Sequence, residues 1–455
     1  TYPKDDSAPL LWAEANNYIY KGRTVARTKG GALYTKPEII LVEDPEPNGA
    51  PLQFVDITAM CEKNQILMET LVQETIQNIY NTYQQYQTKI DVFYVAFSGG
   101  KDSVVVLDLV QRALPHDDFK VLFGDTQMEF PDTYEVVERT QVQCQERGIT
   151  FLRAKSELKP CDTWQMFGPP ATSNRWCCSV HKTSPQINLL KKITGKTSFT
   201  GMAFTGIRAE ESTSRSNYDS VTEGQKHTGQ YSCHAILEWS SAELYLYIFA
   251  NKLIFNKSYL SGNVRAGCLV CPNSTGKNDY IKRVCYKEEV DSYLRVIATT
   301  SAKTNYSDAD MKDFIESGFW RTRRSGKTIN FGTDEFEINL KGKHPVITVY
   351  RTEFEWMDWA KTVGPVIQME KNLFGIKYKD KVYQISIEQE ENICKFNLIN
   401  TEKTKDDIKF TSLFRSVIVK SLYCIACGVC EAECKFGCIS TQGGLTIGDN
   451  CAHCY

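Results

Sequence analysis

Residues 92–103 read VFYVAFSGGKDS, and few segments restrict a fold as tightly. Residues 92–97 carry β-formers with little alternation, the pattern of a strand buried on both faces and hence of a parallel sheet. Ser98, Gly99 and Gly100 permit a turn tight enough to aim backbone N–H groups at an anion. Asp102 and Ser103 are placed to cap a helix whose first apolar turns are residues 104–110. A helix N-terminus carries partial positive charge and unpaired donors, which suits a polyphosphate. Lys101 adds a mobile full charge. The spacing is not that of the G-x-x-x-x-G-K-[ST] phosphate loop.

Around this segment strands and helices alternate. Residues 66–86 read as an amphipathic helix leading into the strand. Strands follow at 119–123, 150–152 and 198–205, with helices at 134–147 and 184–193. Such alternation predicts an α/β fold with a doubly wound parallel sheet, in which ligands sit outside the carboxyl ends of the strands. The segments LFGDTQMEFPDT and TGIRAEES put Asp125, Arg208 and Glu211 at such ends. Residues 1–75 read as a partly β extension, with β-like runs at 31–34 and 38–42, and 76–300 as the sheet domain. Residues 301–415 read as a mixed α+β region, with a hairpin-like alternation over 377–400, and 416–455 as a small cysteine-rich domain. A helix at 413–422 leads into that last part.

A chain of 455 residues has room for two to four domains. Its formal charge of −2 gives no global basic field, so contact with nucleic acid has to come from a local patch. The turn FWRTRRSGK, with Arg321, Arg323, Arg324 and Lys327, is the candidate, against a solvated turn. Nothing reaches the roughly eighteen apolar residues of a membrane span, and no signal-peptide pattern opens the chain. Because the chain lacks an initial Met and stops within a cysteine repeat, the natural protein is expected to extend past at least the C-terminal end.

The seventeen cysteines fall mostly at the short gaps that suit a metal, which points to a reducing, cytoplasmic setting. One constellation joins Cys177 and Cys178 of RWCC, read as a loop, to Cys268-x2-Cys271, bounded by Gly267 and Pro272. Four thiolates suit a [4Fe–4S] cluster or a structural zinc. Cys285 is the spare if one of the tandem pair faces away. The other runs Cys424-x2-Cys427-x2-Cys430-x3-Cys434, then Cys451-x2-Cys454. That is the spacing of the bacterial ferredoxin run, whose fourth cysteine serves the other cluster. Cys424, Cys427 and Cys430 are thus expected on one cluster, and Cys434, Cys451 and Cys454 on a second, against a zinc ribbon. Lys435 replaces the usual proline, and Cys438 is an extra thiol just behind.

Together, SGGKDS, GDTQMEFPDT, RWCC, GIRAEES, ILEWSSAELYLYI and GCLVCP resemble the phosphoadenosine phosphosulfate (PAPS) reductase family. That family belongs to the PP-loop ATP-pyrophosphatases, with an adenine-nucleotide α-hydrolase-like fold. The resemblance covers roughly residues 91–285, and the cysteine-rich end is similar to ferredoxin-like fusions. It implies that Ser98, Gly99, Gly100, Lys101, Asp102 and Ser103 bind nucleotide phosphates, with Asp125 near the adenosine and Arg208 near the phosphates. It also implies that Cys177, Cys178, Cys268 and Cys271 hold a [4Fe–4S] cluster, with one or two more in the C-terminal domain.

Two departures choose between functions. No Glu-Cys-Gly-type tail follows Cys285, and the loop keeps the lysine–aspartate pair that reductases of activated sulfonucleotides tend to lose. An intact loop suits ATP cleavage to AMP and pyrophosphate with Mg²⁺, Lys101, Asp102 and Arg208 being the catalytic residues. The leading expectation is activation of an acceptor, on nucleic acid, for iron–sulfur-dependent sulfur transfer. The alternatives are PAPS or APS (adenosine 5'-phosphosulfate) reduction fed by the ferredoxin-like domain, and a nucleotide-binding subunit of a multi-subunit defence assembly. An electron- or sulfur-donor protein is a further implied partner. His181 and His234 read as polar contacts, and Cys144, Cys161 and Cys394 as packing. Glu210 and Glu211 read as magnesium ligands or surface acids.

Overall fold

Four short strands open the first of two compact units, Thr1–Asn330 and Phe331–Tyr455. They are β1 (Trp12–Glu14), β2 (Asn17–Tyr20), β3 (Arg23–Lys29) and β4 (Glu38–Leu41), paired antiparallel in that order. Residues 31–34 form a loop and not the strand their composition suggests. The computed structural model describes residues 12–14, 16–53, 56–224, 229–274, 276–300, 306–324, 336–339 and 344–454. Lys327 lies outside them.

Helices α1 (Ile57–Lys63) and α2 (Gln65–Tyr86) lead into the sheet, and α2 buries Met68, Val72, Thr75 and Ile79. The chain then runs through β5 (Val92–Phe97), α3 (Lys101–Ala113), β6 (Lys120–Asp125), α4 (Pro131–Glu146) and β7 (Thr150–Lys155). Next come α5 (Pro160–Phe167), α6 (Trp176–Cys178), a π-helical stretch Ser179–Thr183, α7 (Ser184–Thr194) and β8 (Gly201–Thr205). The sheet closes with β9 (Val221–Glu223) and β10 (Gln230–His234).

The strand order is β7-β6-β5-β8-β10-β9, parallel except for the edge strand β9. The doubly wound parallel sheet expected from the alternation is therefore present. After β5 the chain builds outward through β6 and β7, then returns to place β8 on the other side of β5. That reversal is a topological switch point, and it brings the ends of β5 and β8 together. Helix α8 (Ser241–Ala250) joins α2 and α3 in the core against the sheet.

A second core of the same unit gathers Met128, Phe130, Trp164, Cys177, Leu269, Val270, Tyr293 and Trp320. It draws on α10 (Lys287–Thr300) and α11 (Asp308–Glu316), which follow α9 (Lys277–Cys285) in the chain. RWCC is thus not a loop: its cysteines lie in a helical turn that continues through the π stretch into α7.

The second unit has an antiparallel sheet of β11 (Phe336–Asn339), β12 (Val346–Val349), β13 (Val366–Glu370), β14 (Leu373–Tyr378), β15 (Lys381–Glu390) and β16 (Ile393–Leu398). Its order is β11-β12-β16-β15-β14-β13. Helix α12 (Trp356–Lys361) and the long α13 (Lys405–Tyr423) share its core, where the Tyr383 and Phe410 rings stack at 3.9 Å. The cysteine-rich end adds α14 (Val429–Glu433) and a small pair, β17 (Ile439–Ser440) and β18 (Thr446–Ile447). No helix among the described residues is long and apolar enough to cross a membrane.

Candidate nucleotide and thiolate site

Gly99 takes φ +70°, and a Cβ there would stand 2.8 Å from Thr133 Cγ2, so both backbone and space demand glycine. Gly100 caps α3, but neither Asp102 nor Ser103 caps it with a side chain. Ser103 holds the turn from within: its hydroxyl donates to the Gly100 carbonyl at 2.8 Å and accepts the Ser98 N–H at 3.2 Å. Asn256 braces the outside, donating to the Gly99 carbonyl and to Thr133 Oγ1, both at 3.0 Å.

Lys101 is not the mobile charge its sequence suggests. It is buried, with Nζ 2.9 Å from Asp102 Oδ2, and its own N–H donates to the Tyr259 hydroxyl at 3.1 Å. The other Asp102 oxygen accepts from Arg208 Nε at 2.8 Å. Gly206 makes this approach feasible, since a Cβ there would come within 2.8 Å of Asp102 Cβ. Burial pushes the Asp102 pKa up, but the charges and hydrogen bonds of Lys101 and Arg208 outweigh it and hold the carboxyl below its usual range. Two cations from neighbouring strand ends therefore converge on one carboxylate.

Arg208 also donates to Glu210, and Arg215 to Glu211. The two acids considered as magnesium ligands thus hold arginines. Asp125, at the end of β6, is 2% exposed and fully engaged. It accepts from Arg153 and Tyr134 at 2.9 Å each, and from the Gln127 N–H at 2.9 Å. Arg153, Asn256 and Tyr259 belong to this site, yet nothing in their local spacing marks them.

The thiolate constellation stands on two docked segments. Leu269 N–H donates to the Met128 carbonyl at 2.7 Å, and Cys268 bridges Glu129, so Cys268-x2-Cys271 lies against the stretch following β6. Thr126 Oγ1 reaches both Glu129 at 2.9 Å and Cys268 Sγ at 3.9 Å. Cys177 is pushed up first by its hydrogen bond to Cys178, then by burial and by the charges of Cys178, Cys268 and Cys271. Cys268 is pushed up by burial first, then by Glu129 and Cys271. The four sulfurs therefore share one electrostatic neighbourhood, while Cys285 ends α9 as an exposed thiol.

A soft thiol set gathered in this way fits a thiophilic centre by its donor chemistry. The side chains are not closed into a ligand shell: among the described residues no three His, Cys, Asp or Glu stand in metal-holding geometry. In the second unit the thiols fall into two groups. Cys430 feels Cys427 and Cys424, whereas Cys438 contacts both Cys434 and Cys451; Cys454 is exposed.

The basic turn faces inward, contrary to its reading as a phosphate-contacting patch. Arg321 donates to the Ser274 carbonyl and pairs with Asp279 at 3.1 Å. Arg323 donates to the carbonyls of Phe167 and Pro169 at 3.2 and 2.5 Å. The turn clasps the segment after Cys271 to the loop before Arg175. Only Arg324 of the described basic residues there is exposed.

Residues 92–274 match the model of the phosphoadenosine phosphosulfate reductase domain. That span holds the sheet, the turn at 98–103 and all four cysteines of the first constellation. An uncharacterized protein of Methanocaldococcus jannaschii is 30% identical over 266 residues, 58% of this chain and 52% of its own length. The chain thus spans about half the length of that relative. An adenosine 5'-phosphosulfate reductase of Halalkalibacterium halodurans is 27% identical over 188 residues, 41% of this chain and 76% of its own. A solved phosphoadenylyl-sulfate reductase of Candida auris aligns over 47% of this chain and 96% of its own, at 19% identity and a TM-score of 0.34.

Proposed function

We propose that this chain is an ATP-pyrophosphatase-type sulfurtransferase. The observation that carries the reading is the convergence of Lys101 and Arg208 on Asp102 at the switch point. An oxyanion that takes the place of that carboxylate meets both cations, beside a helix N-terminus. Bound there, ATP would have its α-phosphorus attacked by an acceptor oxygen. The bond from that phosphorus to the bridging oxygen of pyrophosphate breaks, the acceptor's proton goes to solvent, and Lys101 with Arg208 offsets charge on the leaving pyrophosphate. Hydrosulfide then displaces AMP from the adenylated acceptor, leaving a thiol. Magnesium supplies charge neutralisation as the triphosphate's counter-ion.

Cys177, Cys178, Cys268 and Cys271 would hold a [4Fe–4S] cluster, which supplies a place to bind or activate sulfur. Cys424, Cys427, Cys430, Cys434, Cys451 and Cys454 would hold one or two more. A nucleic acid as acceptor, an external electron- or sulfur-donor protein and a cytoplasmic setting rest on the resemblance and the cysteine usage. The inward-facing basic turn lends the nucleic acid no support.

A second reading has its own observation: the relatives with a named activity include adenosine 5'-phosphosulfate reductases. In that reaction two electrons from an electron-donor protein cleave the sulfur–oxygen bond of the sulfonucleotide, and the products are sulfite and AMP. Purified protein given labelled ATP releases pyrophosphate on the first reading, and Lys101→Ala does not. Release unchanged in that variant removes the first reading, and sulfite formed from added sulfonucleotide establishes the second. Nucleotide binding with neither product would leave a binding subunit of a larger assembly.

A further inference from the structure

The ferredoxin-like spacing assigns no part to Cys438, yet the fold buries it between two other thiols. Its Sγ stands 3.3 Å from Cys434 Sγ, and its side chain also hydrogen-bonds that of Cys451. The backbone enforces the grouping. Gly448 N–H donates to the Cys438 carbonyl at 2.7 Å, and Cys451 N–H to the Gly448 carbonyl at 3.2 Å. Asn450 Nδ2 donates to the Phe436 carbonyl at 2.9 Å, tying the 448–451 loop to the 434–438 loop a second time. Gly437, at φ +61°, turns the chain between Cys434 and Cys438. Backbone N–H groups of Phe436, Cys438 and Ile439 hydrogen-bond the Cys434 sulfur, as donors do around a bound thiolate.

We propose that Cys438 is a thiolate ligand, with Cys434 and Cys451, of a thiophilic metal centre in the second unit. In the structure Cys438 sits between the other two thiols, in contact with each. Metal binding replaces those contacts with metal–sulfur bonds, and one proton leaves per sulfur engaged. Around a single tetrahedral ion with bonds near 2.3 Å, neighbouring sulfurs stand about 3.8 Å apart. The Cys434–Cys438 spacing is close to that edge. The shared chemistry is a soft cation on three sulfurs, reached either as a lone zinc or iron or as an iron–sulfide cluster. Cys454, on the same loop as Cys451, offers a fourth thiol. This proposal does not depend on the nucleotide reading of the first unit.

The test uses the full chain purified anaerobically, its Cys438→Ser variant, and Cys394→Ser as a control at another buried thiol of the same unit. Zinc, iron and acid-labile sulfide are counted per chain, and their ratio tells the lone ion from the cluster. Cys438→Ser is expected to lose the metal of one centre, with Cys394→Ser at the wild-type value. In parallel, wild-type protein is alkylated before and after chelation and its peptides are mapped. Cys434, Cys438 and Cys451 are expected to become labelled together only after chelation. Wild-type metal content in Cys438→Ser overturns the proposal. So does a Cys438 whose labelling ignores chelation, or one found in a disulfide with Cys434.

Discussion

Arg208 Nε lies 2.8 Å from Asp102 Oδ1 although 106 residues separate them, and the far side of the same carboxylate holds Lys101. The contact exists because β8 returns beside β5, so the turn after each strand opens onto the same crevice edge.

Replacing Asp102 by Asn leaves the largely buried Lys101 and Arg208 without their shared counter-charge. The variant is expected to lose about 3 kcal/mol of stability, read as a lower melting temperature. Inorganic phosphate should raise that melting temperature more in the variant than in wild type. A variant that melts like wild type, with no extra response to phosphate, would show that the pairing contributes nothing.

Gly99→Ala combines a left-handed backbone with a methyl group 2.8 Å from Thr133 Cγ2. The conformational part alone costs about 1–2 kcal/mol. The expected result is a measurable fall in denaturation midpoint, partly recovered by Thr133→Ser, which removes the clashing methyl. Equal midpoints for Gly99→Ala and wild type would contradict the geometry.

Arg321→Ala removes the side-chain half of the clasp, its hold on the segment after Cys271. The stability loss is expected near 2 kcal/mol, below that of an isolated buried pair, since Lys282 still pairs with Asp279 at 3.2 Å. Anaerobic iron content should fall in parallel, and Arg321→Lys should restore part of both. Iron content equal to wild type in the Ala variant would separate the clasp from the thiol site.

His181 gives a pH dependence whose direction follows from its hydrogen bonds. Thr163 donates its hydroxyl proton to the Pro160 carbonyl at 2.8 Å, so His181 Nε2 must donate to Thr163 at 2.9 Å. Its Nδ1 is buried with no hydrogen-bond partner. Burial lowers the pKa from 6.5 to about 4, because a second proton would strand a charge in the core. The unfolded chain therefore binds more protons than the folded one between those values. Stability should be full above pH 6.5 and fall towards pH 4, by up to about 3 kcal/mol. Melting temperature against pH checks this: His181→Gln should lose that slope while starting from lower stability. An unchanged slope would assign it to other groups.

Much of the first unit was readable because a strand covered on both faces needs an unbroken apolar run, and residues 92–97 supply one. The alternation around it located β6, β7 and β8 closely, while β9 and β10 went unread. What escaped reading depends on partners distant in sequence. Asp102 looked like a helix cap, but Arg208 and Lys101 claim it. The arginines of the basic turn looked outward, yet Asp279 and the Phe167 and Pro169 carbonyls draw two of them in. RWCC carries no local helix signal beyond its neighbours, so its continuity with α7 through a π-helical stretch could not be read.

Tyr259 gives the crevice a built-in reporter. Its hydroxyl receives the Lys101 amide proton, and burial above all pushes its own pKa upward. A phosphate that accepts that amide must dislodge the phenol from its hydrogen bond. Occupancy should then register in the near-ultraviolet absorption of one aromatic ring, without any label and before any bond is cleaved.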